Sequence, residues 1–158
     1  ALPAFGLARS GITLRQKPGS WPAWAVTAVL AASFLALAIY FGDGKPDDVD
    51  TIAFQWTMPG LEEELFYRGV LLLCLNEAFL GRRRILGADM GWGALLTSLL
   101  FSLIHGLGYD DGAVEWDLIS FLTTFVSGLI LVWIRERTGS VVAPILGHNA
   151  GNGFSTLF

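Results

Sequence analysis

The sequence predicts an all-α fold, a polytopic transmembrane helix bundle of about five spanning helices, on three observations. Of the 158 residues 15% are charged and 53% hydrophobic, with a mean hydropathy of +0.56, whereas a soluble domain carries about 25% charge. Five apolar stretches approach the roughly 20 residues that a helix needs to cross a hydrocarbon core about 30 Å thick. The segments between them alternate in the sign of their charge. This composition excludes a disordered tail and a solvated coiled coil. A net charge of -4 gives no reason to expect a phosphate-backbone partner, so nucleic acid is not among the expected partners. The single cysteine, Cys74, can close no internal disulfide and builds no multi-thiolate metal site, and it reads as a small buried hydrophobe.

Taken in order, residues 1–20 carry Arg9, Arg15 and Lys17 and are expected to form a cytoplasmic N-terminal segment. The chain opens ALPAFG without Met, as a trimmed N-terminus would. No cleavable signal peptide is legible, because the first apolar run is too long and begins too late. That run, WPAWAVTAVLAASFLALAIYF over residues 21–41, has no charge and no polar stripe to turn toward water, so it reads as an anchor rather than the core of a soluble bundle. Residues 21–158 then form one transmembrane domain, with the anchor at 21–41 and the helices that carry polar residues within 60–158. Their segments are 61–80, 92–107, 117–134 and 140–158. Helices are expected because a backbone in lipid must satisfy its own hydrogen bonds.

The connections are basic, acidic, basic, acidic and basic. Asp43, Asp47, Asp48 and Asp50 face Lys45 alone after the anchor. Arg82, Arg83 and Arg84 follow, then Asp110, Asp111, Glu115 and Asp117, then Arg135 and Arg137. Under the positive-inside rule this is the pattern of five crossings, with the N-terminus cytoplasmic and the C-terminus outside. Trp21, Trp24, Trp56, Trp92, Trp116 and Trp133 fall at or near the segment boundaries, where amphipathic rings favour the membrane interface.

Ionisable groups within spanning segments are costly and therefore candidates for function. The second segment begins LEEELFYRG, the third ends FSLIHGL and the fifth contains GHNAGN. Glu64 and Arg68 stand four apart and can pair on one helix face. Glu63 lies about 100° round the helix from Glu64, which leaves it free to point into the bundle, and Glu62 is expected to be solvated. Phe101 and His105 share a face, as do His148 and Asn152, while Gly147 and Gly151 form a small-xxx-small pattern that admits a neighbouring helix. Taken singly, each cluster reads as helix packing or polar glue. Under the predicted topology, however, Glu63, His105, His148 and Asn152 come to similar depth on three helices. A carboxylate, two imidazoles and an amide are the parts of a hydrolytic site: a base for water, a second titrating group and donors for an oxyanion.

The series Glu63-Glu64-xxx-Arg68, Phe101-xxx-His105 and His148-xxx-Asn152, with TGSVVAP ahead of the last, resembles the motifs of the CAAX-protease and bacteriocin-processing family of intramembrane glutamic proteases. The resemblance spans about residues 60 to 153. It implies that Glu63 acts with His105 to activate water, that His148 and Asn152 stabilise the tetrahedral oxyanion, and that Glu64 and Arg68, with Phe101, brace the site. No cofactor is implied. The expected partners are the lipid bilayer and a membrane-tethered protein or peptide substrate, in a prokaryotic plasma (inner) membrane. The expected reaction is processing of sorting or leader signals near the extracytoplasmic face.

Other chemistries fit less well. Phe125-Val126-Ser127-Gly128 lacks the leading Gly of a rhomboid-like nucleophile, and Tyr40-Phe41-Gly42-Asp43 is not the GxGD of a presenilin-like enzyme. Zinc held by His105, His148 and Glu63 is the mechanistic rival, since two His and a Glu can form a catalytic site with an open position, although HExxH is absent from the sequence. A non-catalytic binding or immunity protein using the same polar groove is the rival of a different class.

Overall fold

The apolar runs fold as helices close to their expected bounds in the computed structural model, which describes residues 6–158; the opening residues 1–5, read above as a trimmed terminus, lie outside it. Helix α1 (Trp21–Phe41) starts with Pro22 in its first turn and ends where the Gly42 N–H reaches the Ala38 carbonyl. A short α2 (Val49–Gln55) follows, capped by Asp48, whose carboxylate accepts the N–H groups of Asp50 and Thr51. The Thr51 hydroxyl also donates to Asp48, and these bonds hold the Asp48 carboxyl below its ordinary value. The second apolar segment is one continuous helix in three parts: α3 (Met58–Glu64), a π-helical turn (Leu65–Leu71) and α4 (Leu72–Ala78). Helices α5 (Trp92–Gly106), α6 (Leu118–Thr138) and α7 (Val142–Ser155) complete the bundle. Asp117 caps α6 by accepting the Ser120 N–H, and Gly139, at φ 76°, ends it in the left-handed conformation.

The all-α expectation needs one correction. Two of the charged connections fold as antiparallel hairpins, β1 (Arg82–Ile85) with β2 (Ala88–Gly91) and β3 (Leu107–Asp110) with β4 (Ala113–Trp116). Each is closed by a two-residue turn with positive φ at both positions, Leu86-Gly87 (48° and 85°) and Asp111-Gly112 (46° and 83°). Such turns match the twist of paired strands, so Asp-Gly at 111–112 was a legible hairpin signal that charge patterning passed over.

Among the described residues α1 and α6, with 21 residues each, are long and apolar enough to cross a membrane unaided. Helix α5, at 15 residues, is about 22 Å long at 1.5 Å per residue. Helix α1 buries fully only Ala23 and Thr27 among its residues. Cys74, expected to be buried, is instead exposed on α4.

The helices run between two ends of opposite charge. At the basic end the N-terminal segment is tied to the α6–α7 turn: the Val141 N–H donates to Gly11 O (3.0 Å), the Lys17 N–H to Thr138 O (2.7 Å), and Arg9 pairs with Glu77 on α4. The β1–β2 hairpin joins that end through Trp133 Nε1, which donates to Ile85 O at 3.1 Å. At the acidic end the Asp47 N–H donates to Thr156 O (2.9 Å), and the Asp117 N–H closes the β3–β4 hairpin onto Gly106 O (2.8 Å).

Packing relies on close backbone approach. A Cβ on Gly151 would lie 3.0 Å from the Phe34 ring, and one on Gly147 would lie 3.5 Å from Thr27 and Leu131. The small pair on α7 therefore admits α1, as the sequence pattern suggested. Ala23, Leu131, Ile134 and Ala143 form the apolar contact of α1, α6 and α7. On α5, Thr97, Ser98 and Ser102 are fully buried, and their hydroxyls bond to the carbonyls of Gly93, Ala94 and Ser98 one turn back. Asn149, which the sequence reading did not single out, fastens α7 to the start of α3: its Oδ1 accepts the Gly60 N–H (2.8 Å) and its Nδ2 donates to Thr57 O (3.2 Å). Asn149→Leu strands a buried donor, so thermal unfolding in detergent should show a loss of about 1–3 kcal/mol. Ser155→Ala, on the exposed face, should leave the melting temperature unchanged.

Candidate active site

The site is assembled around a buried ion pair. Glu64 and Arg68 each have side chains that are 0% exposed, and Arg68 Nη1 donates to Glu64 Oε1 at 2.9 Å. The pair straddles the junction between α3 and the π-helical turn, a kind of distortion often found at functional sites. The guanidinium lies over Phe101, its central carbon 4.1 Å from the ring centroid. Gly128 on α6 provides the room, since a Cβ there would lie 3.3 Å from Arg68 Nη2 and 3.5 Å from Phe101. The sequence reading missed Gly128; its signal was a glycine inside an otherwise apolar 21-residue helix.

The same carboxylate oxygen, Glu64 Oε1, takes a second bond from His148 Nδ1 at 2.8 Å. A carboxylate only accepts, so Nδ1 carries the proton and Nε2 is the nitrogen left to face the site. His105 is held alike: its Nδ1 lies 2.7 Å from Phe101 O, a carbonyl that again only accepts. Both Nε2 atoms converge on one oxygen, Glu63 Oε2, at 3.8 Å from His148 and 3.9 Å from His105. Glu63 Oε2 is buried and has no hydrogen-bond partner among the described residues. Glu63 and His105 keep 29% and 31% of their side chains accessible, whereas His148 keeps 8%, so the two accessible groups are those a reactant can reach.

Phe101 holds the cluster together from below. It is 3% exposed, and its ring centroid lies 4.5 Å from that of His105, 5.2 Å from Tyr67 and 6.0 Å from His148. A cleft of about 240 Å³ between α1, α5, α6 and α7 opens onto both imidazoles. Asn152, one turn beyond His148, lines it, as do Leu30 and Phe34 of α1 and Ser127 of α6. The structure thus gathers Glu63, His105 and His148 within 4 Å contacts, with Asn152 on the wall of the cleft that the two imidazoles line. It sets Glu64, Arg68 and Phe101 behind them. Glu62 is exposed, as expected. Among the described residues no group of three or more His, Cys, Asp or Glu is arranged as a metal site.

An unpartnered carboxylate oxygen beside two oriented imidazoles can accept a proton from a bound hydroxyl or water.

Residues 45–154 match the family described as type II CAAX prenyl endopeptidase, Rce1-like, a span that holds every residue of the cluster. The chain is 29% identical over 157 residues to an uncharacterized 24.3 kDa protein of Escherichia coli, an alignment covering 92% of this chain. The chain spans 66% of that relative's length. No solved structure matches. With the match covering most of the chain and all of the clustered residues, the chain belongs to the Rce1-like type II CAAX prenyl endopeptidase family, a family of membrane-embedded proteases.

Proposed function

We propose that this chain is an intramembrane endopeptidase of glutamic type, and the observation that carries the reading is the convergence of two fixed imidazoles on Glu63 Oε2. Glu63, acting with His105, takes a proton from water as the water oxygen attacks the scissile carbonyl carbon. The carbonyl oxygen becomes an oxyanion, stabilised by the Asn152 amide and by His148 Nε2 in its doubly protonated form. Glu64 supports that form, because its carboxylate already accepts from Nδ1. Collapse of the intermediate breaks the C–N bond, and the proton held by the Glu63–His105 pair passes to the leaving amine. Arg68 and Phe101 fix the frame and take no part in the bond changes.

In this reading α1, the α3–α4 helix, α5, α6 and α7 cross the membrane five times. The basic end faces the cytoplasm of a prokaryotic cell and the acidic end faces outward, close to the site. Asp43, Asp47, Asp110 and Asp111 then flank the mouth and favour substrates with a basic segment near the cleavage point, such as membrane-tethered sorting or leader signals.

Three experiments test the reading. Glu63→Gln removes the base at nearly constant volume, so turnover should fall by about 10²- to 10⁴-fold or more with an unchanged melting temperature and retained substrate binding. Glu64→Gln, by contrast, strands Arg68 and weakens the hold on His148, and breaking such a buried pair costs about 3–5 kcal/mol, so its main symptom should be lost stability. A folded but inactive Glu64→Gln beside an active Glu63→Gln would reverse the two roles. An active site whose Glu63→Gln variant performs the cellular function unchanged would instead be a binding groove.

Activity should survive exhaustive zinc chelation, and elemental analysis should find well below one metal per chain. Inactivation reversed by added zinc would make His105, His148 and Glu63 metal ligands.

In a Cys74→Ser background, cysteines placed at Asp48 and Asp111 should react with an impermeant thiol reagent in intact cells, and one placed at Arg83 should not. The opposite pattern would turn the site toward the cytoplasm and toward prenylated tails.

A further inference from the structure

Apart from the active-site cleft, a groove of about 580 Å³ lies at the basic end, between the β1–β2 hairpin, the start of α5 and the middle of α6. Its wall is apolar, built by Met90, Trp92, Leu95 and Leu129, and its rim carries Arg82 and Arg83. Trp92 and Leu95 are 58% and 40% exposed, so the wall is uncovered in the isolated chain. Arg83 is exposed on β1, and its side chain has no hydrogen bond or ion pair among the described residues. Arg82 uses one nitrogen to donate to Asn76 O at 3.1 Å, which holds its guanidinium at the rim. The charged groups nearby, Arg84 and Asp89, face each other across the hairpin at 3.9 Å and cancel.

We infer that this groove binds an anionic glycerophospholipid, its phosphate on Arg82 and Arg83 and its acyl chains along Trp92, Leu95 and Leu129. Each half of the groove supplies what one half of that molecule needs. Two cations, one of them without a protein partner, meet the headgroup, while a contiguous apolar wall continues from the headgroup level along the helices. The position suits the ligand, since a tryptophan at a helix start beside clustered arginines marks the interface of the anionic leaflet. A free phosphate would use the rim and leave the wall uncovered; a neutral lipid would use the wall and leave the rim unpaired. The inference rests on the membrane-embedded reading of the chain and is independent of the peptidase chemistry.

The test is lipid retention by the purified full chain, read by native mass spectrometry after exchange into detergent with equal amounts of phosphatidylglycerol and phosphatidylcholine. The wild type should retain one phosphatidylglycerol in preference to phosphatidylcholine, and that lipid should raise its melting temperature. Arg83→Gln changes an exposed, unpaired side chain and keeps the fold. It should lower the preference about fivefold, the equivalent of about 1 kcal/mol for one basic residue at a membrane surface. Leu95→Trp fills the groove and should reduce retention of the lipid with both arginines in place. Equal retention of the two lipids, an unchanged preference in Arg83→Gln, or unchanged retention in Leu95→Trp would overturn the inference. So would the same stabilisation by inorganic phosphate, which would make the rim a site for the free anion. None of these readouts depends on turnover, so failure here leaves the catalytic reading to its own tests.

Discussion

A fully buried Glu64–Arg68 pair is the constraint around which the bundle is arranged. Charges taken out of water are costly unless paired in good geometry; four helices build the surroundings of this pair, while Glu64 Oε2 and Arg68 Nε and Nη2 have no hydrogen-bond partner among the described residues. The α3–π junction supplies both partners, α5 supplies the Phe101 ring, α6 withdraws its side chain at Gly128, and α7 brings His148 Nδ1 to the second bonding direction of Glu64 Oε1. Through His148, Glu64 is linked to Glu63. Glu64 fixes an imidazole tautomer, the imidazole presents Nε2, and Nε2 faces Glu63. One element of bracing therefore sets both the helix packing and the orientation of the imidazole beside Glu63.

Around that pair, cohesion comes from short approach rather than large apolar side chains. Between helices in lipid there is little hydrophobic drive, so small residues and buried polar bonds carry association. Gly60 lies against Asn149, Gly93 against Asn76, Gly151 against Phe34 and Gly153 against Trp56, each with less space than a Cβ would need. The buried hydroxyls of α5 bond to their own helix and so present methylene and methyl surface to α6. The cleft beside the site exists because α1 meets α7 over glycines and meets α6 through Leu30 and Leu131, leaving a gap in front of the imidazoles.

The two ends of the bundle differ in more than charge sign. At the basic end the N-terminal segment, the first hairpin and the α6–α7 turn are knitted by long-range backbone and arginine bonds, which gives a rigid platform and a groove. At the acidic end the connections are more exposed, and the second hairpin is exposed along both strands. Glu63 and His105 each keep about a third of the side chain accessible.

By itself the sequence determined the helix positions and which of two adjacent carboxylates pairs with Arg68. Helix positions follow from hydrophobic length, a local property, and α1 kept its expected bounds to the residue. The pairing of Glu64 with Arg68 follows from helical spacing, which also frees Glu63 to turn elsewhere. Charge sign along the connections was equally legible, whereas their hairpin form was not sought, although Asp111-Gly112 signalled one. Tertiary structure alone decided how the parts meet. That His148 bonds to Glu64 rather than acting only with Asn152, that Asn149 locks α7 to α3, and that Gly128 makes room for a guanidinium depend on contacts between residues tens of positions apart. The exposure of Cys74 was decided in the same way, because which side of an apolar helix is covered depends on its neighbours and not on its own hydropathy.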